Sequence, residues 1–567
     1  TDTVYWVIEA KSDRKMLSNA LNEAEDYARK INQSKSIQVA FISGVAGNDA
    51  DSYLIQTRYL INGQFRPISI NGKEVSALLS PEIVRLTIET NGEIQDLPVD
   101  ESLFLAKATE INEILHLGAI NKNARASVIA SLLLSLIEDP QPNVDASPSV
   151  LITEINSRAQ RILRLHRKDE FFKYIEIALP PTEDNHVKFK TALVQTIREL
   201  NNLNIRSAMN SGTDVLGKFY EVFLKYGNGA KEIGIVLTPR HITKFAVEVL
   251  NITNQDVVFD PTCGTGGFLV AAFDYVRKNA TSAQVDSFKQ HGLFGIEQEA
   301  EVVALALVNM IFRGDGKNNI TEGNCFVKNL ERTSIDNQPT AKYVSRVANA
   351  PLSSERLAIT KVLMNPPFAL KRQDEKEFKF VDYALSQMAH GGILFCVLPY
   401  SVMVKPNIYL DWRKNSLLAN NTLLSVVTFP SDLFYPVGVH TVGIFVKKGT
   451  PHPINQNVLW IRAISDGFGI TKGKRLPNQR VNNDLEKART TLRNFLLDQS
   501  QPIPNIFKLQ KAMPIDYIDS LLELVPENYL DQPLPTNEEI IIGIDEVIRN
   551  SVAFLIQSGK EDDYNIR

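Results

Sequence analysis

The chain has 567 residues, of which 44% are hydrophobic and 22% are charged, and its formal net charge is −4. That length exceeds what one hydrophobic core usually supports, so we expect three or four domains. The slightly acidic balance excludes a uniformly basic nucleic-acid-binding protein, so any contact with DNA must come from a local basic surface or from a partner.

Cysteine usage and hydropathy indicate the compartment. Cys263, Cys325 and Cys396 are far apart and lack metal-ligand spacing, which predicts a cytoplasmic protein without a disulfide framework. No apolar run approaches the roughly eighteen uncharged residues of a membrane span, and the first turns of the chain are rich in charged side chains. We therefore expect neither a membrane contact nor a secretion signal.

The chain begins with a strand and a helix whose charged residues suit a nuclease. Val4 to Lys11 has the pattern of a buried strand, and a helix is predicted over residues 12–32. Alternate residues of a strand share a face, so Glu9 and Lys11 project together. A carboxylate that holds Mg²⁺, beside a lysine that orients the attacking water, suits phosphodiester hydrolysis. The alternative is a half-exposed strand with two solvated charges.

This strand, its Glu-x-Lys pair and the helix resemble the core of PD-(D/E)xK nucleases, particularly those of restriction enzymes. The resemblance implies a partial α/β nuclease-like domain over residues 1–95, in which Glu9 and Lys11 are catalytic and Glu9 binds Mg²⁺. Two features depart from the family. Glu23 stands where many of these nucleases have Gln, with Tyr27 in place four residues later. The acidic residue that should precede the strand is expected upstream of Thr1.

Helical periodicity dominates residues 96–225, which we expect to form a helical domain. Proline-containing breaks near residues 139–143 and 179–181 separate the helices. Their apolar stripes are typical of helix-bundle core and indicate no chemistry. The helices are predicted over residues 102–117, 124–137, 151–165 and 188–203.

A strand, a glycine-rich turn and a helix follow one another over residues 256–278. The strand ends at Asp260, and the turn after it contains Gly264, Gly266 and Gly267. This order brings a ligand close to the backbone at the carboxyl end of a parallel strand, where a helix N-terminus also points. Glycines let the main chain approach without Cβ clashes. We predict a cofactor site here, against the alternative of a plain structural turn.

A second strand ends at Glu297, one βα unit after the glycine turn. There the carboxylate can accept hydrogen bonds from both hydroxyls of a ribose. The alternative is a negative charge that stabilises the N-terminus of the next helix, predicted over residues 299–312. A third strand-like segment is followed by Gly323 and Asn324.

A fourth strand, over residues 359–364, leads into Asn365-Pro366-Pro367-Phe368. An aromatic amino group is a poor nucleophile because its lone pair is delocalised into the ring. The Asn365 side-chain oxygen and the Pro366 carbonyl can each accept one N–H and favour the pyramidal transition state. The prolines stiffen this turn, and Phe368 offers a face for an extruded base. We predict that all four are catalytic; the alternative is a turn that closes a buried strand.

Several of these segments resemble modification subunits of type I restriction–modification systems. Residues 214–224 and 235–240 resemble the entry to the catalytic domain, and DPTCGTGGF at residues 260–268 resembles the S-adenosylmethionine loop of adenine methyltransferases. With Asn-Pro-Pro-Phe following, the order is that of γ-class amino-methyltransferases. The resemblance covers about residues 210–480 and implies S-adenosylmethionine as cofactor. Its contacts would be Thr238, Pro239, Asp260, the three glycines, Glu297 and Asn324, although the family usually has Asp at position 324.

We place the catalytic domain at residues 226–450 and a partner-docking extension at residues 451–567. In the first, Phe434 begins a predicted hairpin over residues 434–446; it is expected in the target-base pocket, as the resemblance implies, or in the core. In the second, a locally basic loop around Arg475 could touch phosphate or be merely solvated. A capping box at Thr536 predicts a long helix with one apolar face. Because the extension is too short to add a target-recognition domain, we expect a separate specificity subunit.

The predicted fold class is α/β: an S-adenosylmethionine-dependent methyltransferase with a Rossmann-like doubly wound sheet, preceded by a helical domain and a partial nuclease-like domain. We predict an enzyme that methylates N6 of adenine in double-stranded DNA, fused to an endonuclease domain, in a restriction–modification system of type I-like, IIB or IIG kind. Alternatives are methylation of RNA adenine or protein glutamine, or a non-catalytic DNA-sensing scaffold. A cytosine-C5 enzyme would need a cysteine after proline, and none of the three cysteines follows proline.

Overall fold

The computed structural model describes residues 4–34, 37–48, 52–70, 73–79, 81–94, 101–138, 141–203, 222, 237–314, 319–335, 338–345, 357–368, 376–435, 437–471, 474–478, 480–531, 540, 541, 544, 545, 548, 549 and 552. Two predicted features fall outside this part of the chain: the segment 214–224, apart from Val222, and the capping box at Thr536. Among the described helices, none has the length and apolar character needed to cross a membrane.

The N-terminal unit is a four-stranded sheet with one helix packed on it. Helix α1 (Leu17–Gln33) buries its apolar stripe, which includes Leu21, Ala24 and Ala28, against the sheet. The predicted first strand and helix are therefore confirmed. The strands are β1 (Tyr5–Lys11), parallel β2 (Val39–Asn48), and antiparallel β3 (Ser52–Ile61) and β4 (Gln64–Pro67). A smaller sheet adds β5 (Ser69–Ile70), β6 (Lys73–Glu74) and β7 (Glu93–Ile94), with α2 (Pro81–Glu89) before β7.

Four helices follow, as the periodicity predicted. The second of them is buried almost all round because, after Arg125, it carries no charged side chain. Their buried residues join the same hydrophobic core as the helices on one face of the large sheet, so the helical segment packs directly on the catalytic part of the chain. The helices are α3 (Glu101–Leu117), α4 (Arg125–Ser135), α5 (Pro148–Leu165) and α6 (His186–Asn202).

A nine-stranded sheet, counted within the described residues, organises the rest of the chain. In chain order its strands are β8 (Val258–Asp260), β9 (Leu293–Glu297), β10 (Asn319–Glu322), β13 (Ile359–Met364), β14 (Met388–Pro399), β15 (Asn421–Thr428), β16 (Thr441–Lys448), β17 (Asn457–Arg462) and β20 (Gln510–Pro514). Their spatial order is β10-β9-β8-β13-β14-β16-β15-β17-β20. Two hairpins stand apart from this sheet: β11 (Lys328–Ile335) with β12 (Gln338–Ser345), and β18 (Phe468–Thr471) with β19 (Lys474–Pro477).

Helices cover both faces of this sheet. On β14, Phe395 and Val397 join the core on one face, whereas Leu394 and Cys396 join the core on the other, because successive strand residues alternate in direction. This is the predicted doubly wound α/β arrangement. The first face carries α7 (Arg240–Leu250), α8 (Gly267–Asn279), α10 (Ala300–Phe312) and α12 (Asp484–Leu497), and the second carries α11 (Glu377–Gln387); α9 (Ser282–His291) follows α8 in the chain.

Two predictions about the C-terminal third are corrected by the pairing of strands. The sheet continues past the predicted boundary at residue 450, because β17 pairs with β15 and β20 pairs with β17. The predicted hairpin over residues 434–446 is also wrong. The antiparallel pair consists of β15 and β16, and Phe434 lies in the turn segment that connects them.

Candidate active site

One cavity lies at the carboxyl ends of β8, β9 and β13. Here the strand order reverses, since β8 has β9 on one side and β13 on the other. Open α/β sheets bind ligands at such a point because the loops diverge there. The wall consists of Leu237, Thr238, Arg240, residues 260–265, Gly267, Phe268, residues 297–299, residues 323–326, residues 365–367 and Phe380.

The glycine turn forms one side of this cavity. Gly264 and Gly266 have φ angles of 53° and 81°, in the left-handed region that favours glycine. A Cβ on Gly264 would meet no protein atom within 4 Å, so this residue leaves the cavity open. Gly266 lies behind the wall as the N-cap of α8, against Ala306. Gly267 makes room for the Arg240 guanidinium, which a Cβ at position 267 would strike.

Glu297 ties the glycine turn to helix α10. Its Oε2 accepts the Gly264 N–H at 3.0 Å, and its Oε1 accepts the N–H groups of Gln298 at 2.7 Å and Glu299 at 3.0 Å. Burial raises the pKa of Glu297, and these three hydrogen bonds oppose that rise. A carboxylate offers about four acceptor positions, so it has capacity for a ligand hydroxyl as well. Glu297 therefore stabilises the helix N-terminus and lines the cavity at once.

Asp260 holds the turn from within the wall. Its side chain is 1% exposed, and Oδ1 accepts the Thr262 N–H at 3.0 Å. Burial raises the pKa of Asp260 well above its ordinary value, and the nearby Glu297 charge adds to that rise. Asp260 and Glu297 thus place two carboxyl groups, which can accept hydrogen bonds, in one wall. S-adenosylmethionine, which carries ribose hydroxyls and an ammonium group as hydrogen-bond donors, fits these acceptors.

Asn365 enters the same cavity from the end of β13. Its Nδ2 donates to the Thr238 hydroxyl at 3.0 Å, which leaves the carbonyl oxygen at the other side of the amide. Pro366 and Pro367 line the cavity next to it. Pro239 lies outside the wall as the N-cap of α7, where its φ of −56° suits the start of a helix. The structure thus brings the predicted acceptors and the predicted cofactor turn together.

Phe368 lies beside the cavity and packs on Phe434. The two rings are 5.7 Å apart between centroids and meet edge to face at 86°. Phe434 is 5% exposed and belongs to the hydrophobic core, whereas Phe368 is partly buried against that core. Phe434 is therefore a core aromatic that supports the predicted base-stacking residue.

Among the wall residues that were not predicted, three have large side chains suited to ligand contact. Arg240 follows the Thr-Pro turn directly, and Phe326 and Phe380 form an aromatic pair with ring centroids 4.6 Å apart. The exposed Asn324 borders this pair, and its side chain accepts the Phe326 N–H at 2.9 Å. Arg240 was detectable as a charged residue joined to a predicted contact. Phe380 carries no such signal, because helix α11 brings it back to the cavity from outside the motif.

A buried ion cluster fastens the first turn of α7. Asp466 is completely buried and accepts hydrogen bonds from His241 Nε2 at 2.7 Å and Arg475 Nη2 at 2.6 Å. The His241 ring stacks on Phe468 with centroids 4.2 Å apart, and Arg475 also bonds Asp432 at 3.2 Å. Of the two alternatives for the basic loop, phosphate contact or plain solvation, neither describes Arg475, because its side chain is 7% exposed and paired with two carboxylates.

The N-terminal pair of charged residues lies on one strand face, as predicted. Lys11 Nζ contacts Glu9 Oε1 at 3.4 Å and Glu23 Oε2 at 2.7 Å. The hydrogen bond to Glu23 is the largest cause of the raised pKa of Lys11, and Glu9 adds to this rise. Desolvation of the lysine opposes it. Within the described residues, no group of three His, Cys, Asp or Glu side chains is placed to hold a metal. The described geometry therefore does not supply a complete Mg²⁺ site around Glu9.

The cysteines offer no nucleophile. Cys263, Cys325 and Cys396 are buried and free. Burial raises the pKa of each thiol, to about 12 for Cys325. A thiol with a raised pKa stays protonated and unreactive near neutral pH, so covalent catalysis through these residues is disfavoured.

Comparison with known proteins identifies the chemistry of this cavity. Residues 211–513, more than half of the chain, match the N-6 DNA Methylase family. The chain belongs to this family. It is therefore an N6 DNA methyltransferase of the restriction–modification kind, and the predicted cofactor S-adenosylmethionine agrees with that family.

Relatives of this N-6 DNA methylase occur in type I and type II systems. It is 29% identical over 497 residues to the "Type II restriction enzyme and methyltransferase RM.BcgI" of Heyndrickxia coagulans, across 80% of this chain and 71% of that protein. It is 28% identical to the EcoKI methylase subunit of Escherichia coli K12, but that match covers 47% of this chain and only 50% of the subunit. A solved chain from a type I R-M system shares the fold, with a TM-score of 0.53 and 17% identity, over 82% of this chain and 99% of that one.

Proposed function

We propose that this N-6 DNA methylase transfers the methyl group of S-adenosylmethionine to N6 of adenine in double-stranded DNA at the cavity described above. The observation that carries the proposal is the position of Asn365, which shares the cavity wall with Gly264 and Glu297. The amide acceptor and the predicted cofactor turn therefore border the same cavity. Bound S-adenosylmethionine supplies an electrophilic methyl group on a sulfonium that departs as a neutral thioether.

Different wall residues contact different parts of the cofactor. Glu297 accepts a ribose hydroxyl, for which its carboxylate has about one acceptor position beyond its three backbone bonds. Gly264 admits the cofactor close to the main chain. Phe326 and Phe380 offer an apolar surface next to Asn324, which suits an adenine ring with polar edges.

Asn365 and Pro366 activate the target. Their two carbonyl oxygens accept the two N–H bonds of the adenine amino group and draw its lone pair out of conjugation. The extruded base stacks beside Phe368, whose ring is supported from behind by Phe434. The attacking nitrogen becomes acidic once it is methylated, so no strong general base is required. Positioning and electrostatics account for most of the acceleration.

Methylation assays with Asn365→Ala test this assignment. The chain, with its candidate specificity subunit, is incubated with tritiated S-adenosylmethionine and unmethylated double-stranded DNA, and label in N6-methyladenine is counted. We expect a loss of about 10²- to 10³-fold in kcat, as for removal of a preorganised oxyanion donor. Asn420→Ala, at an exposed asparagine away from the cavity, serves as control.

Full labelling by Asn365→Ala would contradict the catalytic role of this residue. Label found in RNA or in a protein amide, but not in DNA, would replace the substrate. Cofactor binding without transfer to any of these substrates would favour the non-catalytic scaffold.

A second activity, DNA cleavage by the N-terminal unit, is favoured by two observations. Glu9 and Lys11 share a strand face 3.4 Å apart, and the match to RM.BcgI, whose name joins a restriction enzyme to a methyltransferase, covers 80% of this chain. We propose that this unit derives from a nuclease. Because the described residues do not form a metal site, a divalent ion would need ligands beyond Glu9 and Glu23.

Cleavage of unmethylated plasmid DNA with and without Mg²⁺ tests this second activity. Activity is expected to disappear in Lys11→Ala and to persist in Lys15→Ala, because Lys15 is exposed on the turn after the strand. Cleavage that is equal in both variants, or absent from the unmodified protein, would remove the nuclease assignment and leave the methyltransferase proposal intact.

We also propose that a separate specificity subunit selects the DNA sequence. Ile540, Ile541, Ile544, Ile548 and Val552 are all exposed, and their spacing places them along one side of a helix. Co-purification of a tagged specificity subunit should be lost in the double variant Ile541→Asp, Ile548→Asp. It should persist in Leu117→Asp, which changes a leucine elsewhere that is more exposed than either isoleucine. Sequence-specific methylation by the isolated chain would contradict the need for this partner.

A further inference from the structure

Thr238 carries a hydrogen bond that the cofactor-contact prediction does not explain. Its hydroxyl oxygen accepts Asn365 Nδ2 at 3.0 Å, across 127 residues of sequence. Thr238 also lines the cavity in its own right. One hydroxyl therefore touches both the space for the cofactor and the residue that activates the target.

The orientation of the Asn365 amide decides whether this residue can act. When the Asn365 oxygen points toward the target, it accepts an N–H of the adenine amino group. When the Asn365 nitrogen points there, its N–H groups and those of the adenine amino group are both donors and cannot form a hydrogen bond. A hydroxyl can both donate and accept, so Thr238 alone permits either orientation. Once the Thr238 hydroxyl donates its hydrogen bond to another group, it can only accept from Asn365. The hydrogen bond between the two residues is then kept only when the Asn365 nitrogen faces Thr238 and the Asn365 oxygen faces the target.

S-adenosylmethionine brings acceptors into this cavity, including a carboxylate. Thr238 supplies the hydroxyl that Asn365 Nδ2 contacts, and two residues that follow it in the chain hold its backbone in place. Pro239 has its own φ angle fixed at −56° by its ring, and His241 Nε2 is hydrogen-bonded to the buried Asp466 at 2.7 Å. The hydroxyl is thus presented to Asn365 from a rigid support.

We propose that Thr238 is a positioning residue, whose hydroxyl donates to the bound cofactor and thereby sets the Asn365 amide with its oxygen toward the target base. This inference rests on the proposed function of the cavity and adds to it a coupling between cofactor and target. The coupling would make methyl transfer depend on Thr238 even when the cofactor site is full. A residue that only bound the cofactor would lose its effect at saturation.

Two substitutions separate these roles. Thr238→Val keeps the shape and removes the hydroxyl, whereas Thr238→Ser keeps the hydroxyl and removes a methyl group. At saturating S-adenosylmethionine and DNA, we expect kcat to fall about tenfold in Thr238→Val, as for the loss of one hydrogen bond that orders a reacting group. We expect Thr238→Ser to restore kcat to within about threefold of the unmodified protein.

A binding measurement supplies a readout that does not involve turnover. DNA affinity is measured with and without S-adenosylhomocysteine, the demethylated cofactor, and cofactor affinity is measured by calorimetry. S-adenosylhomocysteine should strengthen DNA binding by the unmodified protein and by Thr238→Ser. That gain should shrink severalfold in Thr238→Val.

Unchanged kcat in Thr238→Val at saturation would overturn the inference, and so would an equal loss in Thr238→Ser or a DNA-binding gain that survives in Thr238→Val. Asn365→Ala distinguishes this failure from failure of the proposed function. If Asn365→Ala is inactive while Thr238→Val is fully active, only the positioning role is lost. If Asn365→Ala is active, the assignment of the cavity itself fails.

Discussion

Replacing Gly264 by alanine should separate the folding role of the glycine turn from its ligand role. The residue has a φ angle of 53°, and an L-amino acid in this left-handed region costs roughly 1–2 kcal/mol. The lower entropy of the unfolded alanine chain offsets about 0.4–1 kcal/mol of that cost. No protein atom lies within 4 Å of the new Cβ, so no steric term is added. We expect the free energy of unfolding to fall by only about 1 kcal/mol.

Cofactor binding should change much more than stability. The added methyl group would occupy the open side of the turn, in the wall shared with Glu297 and Asn365. We expect the Kd for S-adenosylmethionine to rise at least about tenfold, which corresponds to about 1.4 kcal/mol. Isothermal titration calorimetry measures this Kd, and chemical denaturation measures the stability of the same samples.

Gly314→Ala is the matched control for this substitution. Gly314 has a φ angle of 82°, and its Cβ position is also free of neighbours within 4 Å, but it is exposed after the end of α10 and lies outside the cavity wall. It should lose similar stability and keep the cofactor affinity of the unmodified protein. Unchanged affinity in Gly264→Ala, or equal loss in both variants, would refute the placement of the cofactor beside the turn.

Two further predictions concern pH. Burial raises the pKa of Glu297, so its carboxylate becomes protonated, and a weaker hydrogen-bond acceptor, as the pH falls through that raised value. The affinity for the cofactor should therefore drop toward acid pH. Glu297→Gln should show a flatter dependence of affinity on pH in calorimetry. A Glu297→Gln profile as steep as the original would contradict this role. Burial opposes ionisation of Asp466, but hydrogen bonds from His241 and Arg475 leave its pKa below the ordinary value. Its stabilisation is then fully present above the unfolded-state pKa and lost as the pH falls through the folded-state value. Asp466→Asn should cost about 1.5–3 kcal/mol at neutral pH, because the buried Arg475 loses one of its two carboxylate partners and His241 loses its hydrogen-bond acceptor. The difference in thermal stability should shrink at acid pH. A difference that is constant with pH would argue against the ion cluster.

The local motifs were sufficient to predict the parts of the site that single stretches of chain create. Gly264, Glu297 and Asn365 each follow a strand, and in a parallel sheet the carboxyl ends of strands lie at one edge. Their convergence on one cavity was therefore expected before the strand order was known. The helices over residues 101–202 were also readable, because an amphipathic period needs no knowledge of the partner it packs against.

Contacts between distant segments could not be read in this way. From the sequence, Phe434 could lie in the core or in the target-base pocket. Its burial and its edge-to-face contact with Phe368 in the tertiary structure place it in the core. Arg475 was expected in a loop that was either solvated or in contact with phosphate, because the local sequence does not reveal the carboxylates that pair with it. The boundary at residue 450 was misplaced for a similar reason, since a strand pattern does not state which sheet the strand joins.

By itself, the sequence determined the chemical inventory and the order of this methyltransferase: a glycine turn, a carboxylate at a strand end and an Asn-Pro-Pro-Phe turn, each set by backbone preferences that act within a few residues. The tertiary structure decided how these groups act on one another. Thr238 and Asn365 are 127 residues apart, and His241 and Asp466 are 225 apart. Such pairs meet only because β8 and β13 are neighbours in the sheet and α7 packs beside them, an outcome of the whole core and of no single motif.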